Sequence, residues 1–273
     1  MLKRIAKIAA ISAGCALVIT LLFSSIFKTM KQLPTAEEIR EPTSVSKLLP
    51  EIEQNTLKTS RLSAVRVLSI DEDGGISTST GTYFTLGGAY YILTVNHGLT
   101  GPCSVIRIWT ETEGFAPCKE IVLFDPVIDY AVIQVEEISS MEPIELPSDM
   151  PRARAWKSAL SSQTKVYHTG YPNNTGPLTL DGTIIGYADG NYVYINSFAW
   201  AGSSGSGVFT SQGEFIGYIM AIDIGQTEHG VDVLENLVIV VPAFMVNWTT
   251  LSKQNRVIYD LFKRGKKIYE KSR

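Results

Sequence analysis

Three short motifs in this 273-residue chain carry side chains that could do chemistry together. The first is Tyr91-Ile92-Leu93-Thr94-Val95-Asn96-His97-Gly98, an apolar strand that ends in a histidine. The second is Asp125-Pro126-Val127-Ile128-Asp129-Tyr130-Ala131-Val132-Ile133, in which an acid opens an apolar strand. The third, Gly202-Ser203-Ser204-Gly205-Ser206-Gly207-Val208-Phe209, is a Gly/Ser turn running straight into a strand. Taken singly, each has an ordinary structural explanation. Taken together they meet the needs of nucleophilic acyl transfer. A serine hydroxyl is a poor nucleophile at neutral pH and needs a base to take its proton. Histidine suits that task because its pKa lies near working pH. A carboxylate must then fix the imidazole tautomer and stabilise the imidazolium. Glycines beside Ser204 let the amides of Gly202 and Ser204 turn toward a developing oxyanion.

Other chemistries fit less well. An α/β-hydrolase elbow needs Gly-x-Ser-x-Gly, and two residues past Ser204 stands Ser206; its partners would also have to follow the serine. The three histidines lie far apart, and Cys103 and Cys118 have no CxxC or HExxH context, so no metal or other cofactor is expected. Asp125 competes with Asp129 for the role of the acid.

These side chains need elements to hold them. Short β-rich runs cover Ala64–Ile70, Thr82–Leu86, Tyr90–Val95, Val105–Trp109, Ile121–Phe124 and Tyr130–Val135. A second set covers Lys165–His168, Gly182–Tyr187, Tyr192–Ile195, Gly207–Thr210, Phe215–Ala221 and Leu237–Val241. Six plus six short strands without a helical period predict an all-β pair of barrels or sandwiches. We place one domain over 61–245, with halves at 61–140 and 160–245. Residues 31–60, punctuated by Pro34, Pro42 and Pro50, read as a polar tether, and 246–273 as a basic C-terminal helix or tail.

Residues 1–30 read as a membrane anchor. Residues 8–27 form twenty uncharged positions, and a helix of that length spans roughly 30 Å, the hydrocarbon core of a bilayer. Lys3, Arg4 and Lys7 before the run, against Lys28 and Lys31 after it, put the amino terminus in the cytoplasm and the rest outside. Secretion after cleavage of this segment is the alternative. Charge is segregated: the net of −3 hides +4 over residues 1–40, +6 over 253–273, and −13 over 41–252. A domain so acidic should repel phosphate backbones, so no nucleic-acid partner is expected. Cys103 and Cys118 flank a hairpin expected around Glu111–Gly114, and outside the cytoplasm they could pair.

The order His97, Asp129, Ser204 with these flanks resembles the chymotrypsin/trypsin-like serine proteases, whose equivalent texts read roughly LTAAH, D-x-A-L/V and GDSGGPV. Thr94-Val95-Asn96-His97, His168-Thr169-Gly170-Tyr171-Pro172 and Val240-Val241-Pro242-Ala243 are similar to the bacterial glutamyl endopeptidase and high-temperature-requirement groups. The resemblance implies two six-stranded antiparallel β-barrels with the site between them, and a serine endopeptidase acting on protein or peptide substrates. It implies His97 as general base, Asp129 as its orienter, Ser204 as nucleophile, and Gly202 with Ser204 as oxyanion hole. It favours Asp129 over Asp125, because Tyr130-Ala131-Val132-Ile133 then supplies the strand that follows. Phe198, Met220, Ala221 and Ile222 map onto the wall of the primary specificity pocket and suggest an apolar or small side chain there, while Asp223 and the acidity of the domain could instead favour basic substrates. Ser203 stands where the pancreatic enzymes carry an Asp that pairs with a newly cut amino terminus, so that route of activation is not expected. The rival function is a catalytically silent pseudoprotease that keeps the barrels as a peptide-binding module.

Overall fold

A computed structural model describes residues 48–146, 161–227 and 230–252. The chain divides into a unit of residues 1–44, outside the described residues, and a second unit from residue 45 onward to which everything below belongs. The expected span at 8–27 and the basic run after 252 therefore lie outside the described residues. Among those described, no helix is long and apolar enough to cross a membrane.

The first half starts where a tether was expected. Residues Glu51–Ser63 form a helix, α1, which runs directly into strand β1 (Ala64–Ile70). Glu51 and Glu53 in its first turn and Arg61 in its last suit the helix dipole. Its buried residues are Thr56, Ser60, Leu62 and Ser63, so its inward face is mostly hydroxyl and shows no apolar period. Hydrogen bonds hold it in place of a greasy stripe. Ser60 Oγ meets Thr169 Oγ1 at 2.8 Å, Tyr167 Oη meets Glu53 Oε2 at 3.0 Å, and Arg61 Nη1 donates to Thr179 Oγ1 at 2.8 Å. All three partners belong to the second half, so α1 straps one half to the other.

Strands β2 (Ile76–Leu86), β3 (Ala89–Thr94), β4 (Ile106–Thr110), β5 (Gly114–Pro117), β6 (Glu120–Asp125) and β7 (Tyr130–Val135) complete the first sheet. The sheet runs β5-β4-β1-β2-β3-β7-β6, and the two-residue strand β8 (Ile144–Glu145) pairs with β2 in parallel. The expected first barrel of six strands is thus an open half-barrel. Its outer strands, β5 and β6, are consecutive in the chain and parted at Cys118-Lys119. Pro117 has no N–H to give a ladder, and a register shift at 121–123 bends the following strand. A disulfide joins Cys103 to Cys118 beside this seam.

The second half is a closed barrel: β9 (Lys165–Gly170), β12 (Gly207–Thr210), β13 (Phe215–Thr227), β14 (Gly230–Pro242), β11 (Val193–Asn196) and β10 (Leu178–Tyr187), returning to β9. A helical turn begins at residue 248 and leaves the described residues after 252. It opens with Trp248, whose Nε1 donates to Ala243 O at 2.6 Å and whose ring meets Phe84 edge-on.

Strand alternation decides which core each residue joins. Tyr83 and Ile92 point into the first half, with Val65, Ile106, Ile108 and Ile133. Their neighbours Phe84, Tyr91 and Leu93 point the other way, into a layer shared with Phe209, Tyr218 and Val241 of the second half. Replacing both cysteines by serine should lower the unfolding free energy by about 3 kcal/mol, the chain-entropy value for a loop of ~15 residues. A shift in the urea midpoint of Cys103→Ser/Cys118→Ser measures it, with the parent under reducing conditions behaving alike.

Candidate active site

Antiparallel pairing brings the first two motifs together. β3 leaves the sheet at Thr94, and Thr94 pairs with Ala131 of β7. The residues just after Thr94 therefore lie beside those just before Ala131. Asn96 N donates to Asp129 O at 3.3 Å, and Asp129 sits at φ 63°, a left-handed conformation that turns its side chain back over the strand end. Its carboxylate receives the His97 amide on Oδ1 at 2.8 Å and the His97 ring Nδ1 on Oδ2 at 2.6 Å. A carboxylate can only accept from that nitrogen, so the proton resides on Nδ1 and Nε2 is left as the basic atom. Asp125 does something else: its Oδ1 accepts the amides of Val127 and Ile128 and shapes the β6–β7 turn.

The third motif is held from across the molecule. Thr80 of β2 donates its amide to Ser204 O at 2.8 Å and its hydroxyl to Gly202 O at 2.7 Å. Thr82 Oγ1 donates to Gly205 O at 3.2 Å, and Gly205 N donates to Ile219 O at 2.7 Å. Gly202 and Gly205 have φ of 95° and 91°. A Cβ at 205 would overlap the Thr80 carbonyl, and one at 202 would press on Tyr171 O, so only glycine fits either position. The amides of Ser203 and Ser206 donate to Trp200 O and Ser203 O. Those of Gly202 and Ser204 have no protein acceptor among the described residues, which leaves both as donors for a ligand oxygen.

His97 and Ser204 line one cleft of about 300 Å³, together with Ala199, Trp200, Ala201, Ser203 and the β13 residues Ile219, Met220, Ala221 and Ile222. Phe198 is absent from that wall. Ala199 is buried, whereas Phe198 is half exposed and stacks on Trp200 at 5.9 Å with a 10° interplanar angle. Trp200, which sequence reasoning passed over, is the aromatic that reaches the cleft. Among the described residues no cluster of His, Cys, Asp and Glu could hold a metal.

A second histidine lies behind the site. His168 of β9 is fully buried, and its Nε2 lies 2.9 Å from Ser197 Oγ. Ser197 gives its own proton to Asp181 O at 2.8 Å, so Nε2 must be the donor and Nδ1 the bare acceptor, which has no partner among the described residues. Protonation would bury a charge and an unpartnered N–H. Burial accordingly pushes the pKa down to about 4 from 6.5, against a weaker opposing pull from Asp181.

A family profile for the trypsin-like peptidase domain matches residues 79–217. No curated protein is detectably similar to the chain in sequence. Among solved structures, a serine endoprotease from Yersinia pestis is similar with a TM-score of 0.57 and 16% identity, over 76% of this chain and 67% of that one. An HtrA-type protease solved with a tripeptide is similar with a TM-score of 0.53 and 16% identity, over 71% of this chain and 60% of the other. The chain thus spans only about two thirds of their length, and at such identity the likeness concerns the fold. In all, 535 solved chains match, so the fold by itself singles out no substrate.

Two outcomes test this description. The folded pKa of His168 lies below its unfolded value, so the unfolded chain takes the proton first. The associated stability is full above pH 6.5 and is lost as pH falls toward 4, by roughly 3 kcal/mol at most. The fall in urea midpoint over that range should be visibly shallower in His168→Met. Separately, Thr80→Val keeps the shape of the side chain but strands Gly202 O and the Tyr171 amide, which donates to Thr80 Oγ1 at 2.9 Å. It should cost about 1–3 kcal/mol in the same assay.

Proposed function

The chain belongs to the trypsin-like peptidase family, and from that premise we propose that it is a serine endopeptidase using Ser204, His97 and Asp129. One observation carries the proposal: an imidazole fixed by a carboxylate at 2.6 Å shares a cleft with a serine whose own amide, like that of Gly202, has no acceptor among the described residues. His97 Nε2 takes the proton from Ser204 Oγ as that oxygen attacks the scissile carbonyl. The carbonyl oxygen becomes an oxyanion and accepts from the Gly202 and Ser204 amides. His97 passes the proton to the leaving amine, and the acyl group stays on Ser204. Water activated by the same nitrogen then releases the acid. Asp129 keeps the imidazole in the required tautomer and offsets its charge while it is protonated.

The cleft wall of Ala199, Ile219, Met220, Ala221 and Ile222 is apolar, which supports substrates with a small or apolar side chain before the scissile bond. For location, we favour an anchor at 8–27 with the peptidase outside the cytoplasm. The Cys103–Cys118 bond supports an oxidising compartment; secretion after cleavage of the segment is the other route to the same side.

A fluorescent fluorophosphonate tests the proposal on the full chain. The parent should be labelled, and labelling should disappear in both Ser204→Ala and His97→Ala. A folded parent that takes no label sinks the proposal and leaves a peptide-binding module as the better reading.

A further inference from the structure

Thr80 and Thr82 hold the proposed oxyanion loop by its carbonyls at 202, 204 and 205, which leaves the peptide plane between Ala201 and Gly202 to be set from elsewhere. We infer that Arg66, on the face of β1 that looks toward the second half, is a positioning residue for that plane; the inference rests on the proteolytic reading above. The argument starts from one peptide plane. Ala201 O accepts from the Asn173 amide at 2.7 Å. A trans peptide points its C=O and its N–H in opposite directions. With the Ala201 carbonyl turned toward Asn173, the Gly202 N–H of the same plane must point away from it. That amide is one of the two without a protein acceptor, so the hydrogen bond from Asn173 sets the direction of an oxyanion donor. Rotating the plane would turn a carbonyl oxygen to where the donor belongs.

Asn173 sits in the β9–β10 connection, whose residues Asn173 and Asn174 both have positive φ, 49° and 59°. Asn tolerates that region, and the turn closes on itself through the Thr175 amide and hydroxyl, which donate to Pro172 O at 2.9 and 2.7 Å. What fixes its place against the rest of the molecule is the first half. Arg66 pairs across the β1–β4 ladder with Trp109, so the two side chains share a face. The guanidinium lies over the Trp109 ring at 4.7 Å and the Tyr171 ring at 5.1 Å, and the two rings meet edge to face at 5.9 Å. From between them, Arg66 Nη2 donates to Thr175 O. Tyr171, two residues before Asn173, is buried and is further tied by its Oη to Ala64 O at 3.3 Å and by its amide to Thr80 Oγ1. Arg61 fixes the exit of the same connection through Pro177 O at 3.3 Å. Arg66 therefore grips the turn at Thr175, and the turn grips Ala201 through the Asn173 amide. It touches no reacting atom; it acts through backbone groups.

Inactivation kinetics with the fluorophosphonate separate this role from simple stability. Arg66→Met keeps an aliphatic stem against the two rings and deletes the donors. Its inactivation rate constant at saturating probe should fall roughly 10–100-fold, because one amide donor to an oxyanion is worth about 10²–10³. The probe concentration for half-maximal rate should stay within about twofold, since ground-state binding does not use that donor. Arg66→Lys restores a cation over the rings and a donor toward Thr175 O, and should recover part of the rate. Near-UV circular dichroism normalises each rate to folded protein. A parental rate constant per folded Arg66→Met molecule overturns the inference while leaving the proteolytic reading intact. An equal fall in Arg66→Lys and Arg66→Met also overturns it, because a cation at this place would then be irrelevant. A parent that takes no label overturns both readings together.

Discussion

The structure depends on the contact between β2 and the turn that carries Ser204. That turn belongs by sequence to the closed barrel, yet Thr80 and Thr82 of the other half hold its carbonyls at residues 202, 204 and 205. Both its glycines are demanded by that approach: at 205 the obstacle is β2 itself, and at 202 it is Tyr171 O. The nucleophile is thus displayed by one half and clamped by the other, so neither half alone contains the site. His97 and Asp129 come from β3 and β7, the next strands along the same sheet as the clamp. A shift of β2 would move all three groups in concert rather than part them.

Around this contact the interior is unusually rich in hydroxyls. Ser79 Oγ meets Thr94 Oγ1 at 3.1 Å, Thr94 Oγ1 donates to Thr80 O at 2.7 Å, and Ser206 Oγ donates to Ser203 O at 2.6 Å. The strap α1 uses the same chemistry through Ser60 and Thr169. Apolar layers fill the two halves and the space between them, but directional bonds fix the register of one half on the other. Apolar contact is tolerant of small slips; a chain of hydrogen bonds between buried groups is not, because a broken one leaves a buried polar atom unsatisfied.

Much of this was legible in the sequence, and the exceptions have physical causes. Strands such as Ala64–Ile70, Tyr130–Val135 and Gly207–Thr210 were readable because alternation and turn residues bound them sharply. The extension of β13 to Thr227 and β14 back to Gly230 was passed over although Ile222-Asp223-Ile224 and Val231-Asp232-Val233 alternate as a strand does; Gly225-Gln226 and Glu235-Asn236 interrupt the apolar pattern and read as turns. α1 escaped because its buried face is Thr56, Ser60 and Ser63, which leave no apolar period. β5 escaped because Gly114-Phe115-Ala116-Pro117 is short and ends in a strand breaker. Of the residues singled out for chemistry, His97, Ser204, Met220, Ala221 and Ile222 share a cleft and Asp129 meets His97. Phe198 did not follow, because a loop has no period to tell which way a side chain turns. The Asn173 turn left no trace at all, since it acts through an amide and a carbonyl that every residue possesses. The hydroxyl run Ser77-Thr78-Ser79-Thr80 was the available signal for the clamp, visible as an odd choice for a strand buried on both faces.

The place of α1 in the chain has a mechanical consequence. It lies between the amino-terminal segment and β1, and its side contacts are with β9, β10 and β12 of the second half and with β2 of the first, rather than with the strand it feeds. Tension arriving along the chain from the amino-terminal side meets α1 first. The load falls on the Glu53, Ser60 and Arg61 contacts in shear, where several bonds must break at once, before any of it reaches β1 and Arg66. The helix is in effect a strain relief, like the knot that keeps a tug on a cord from reaching its terminals.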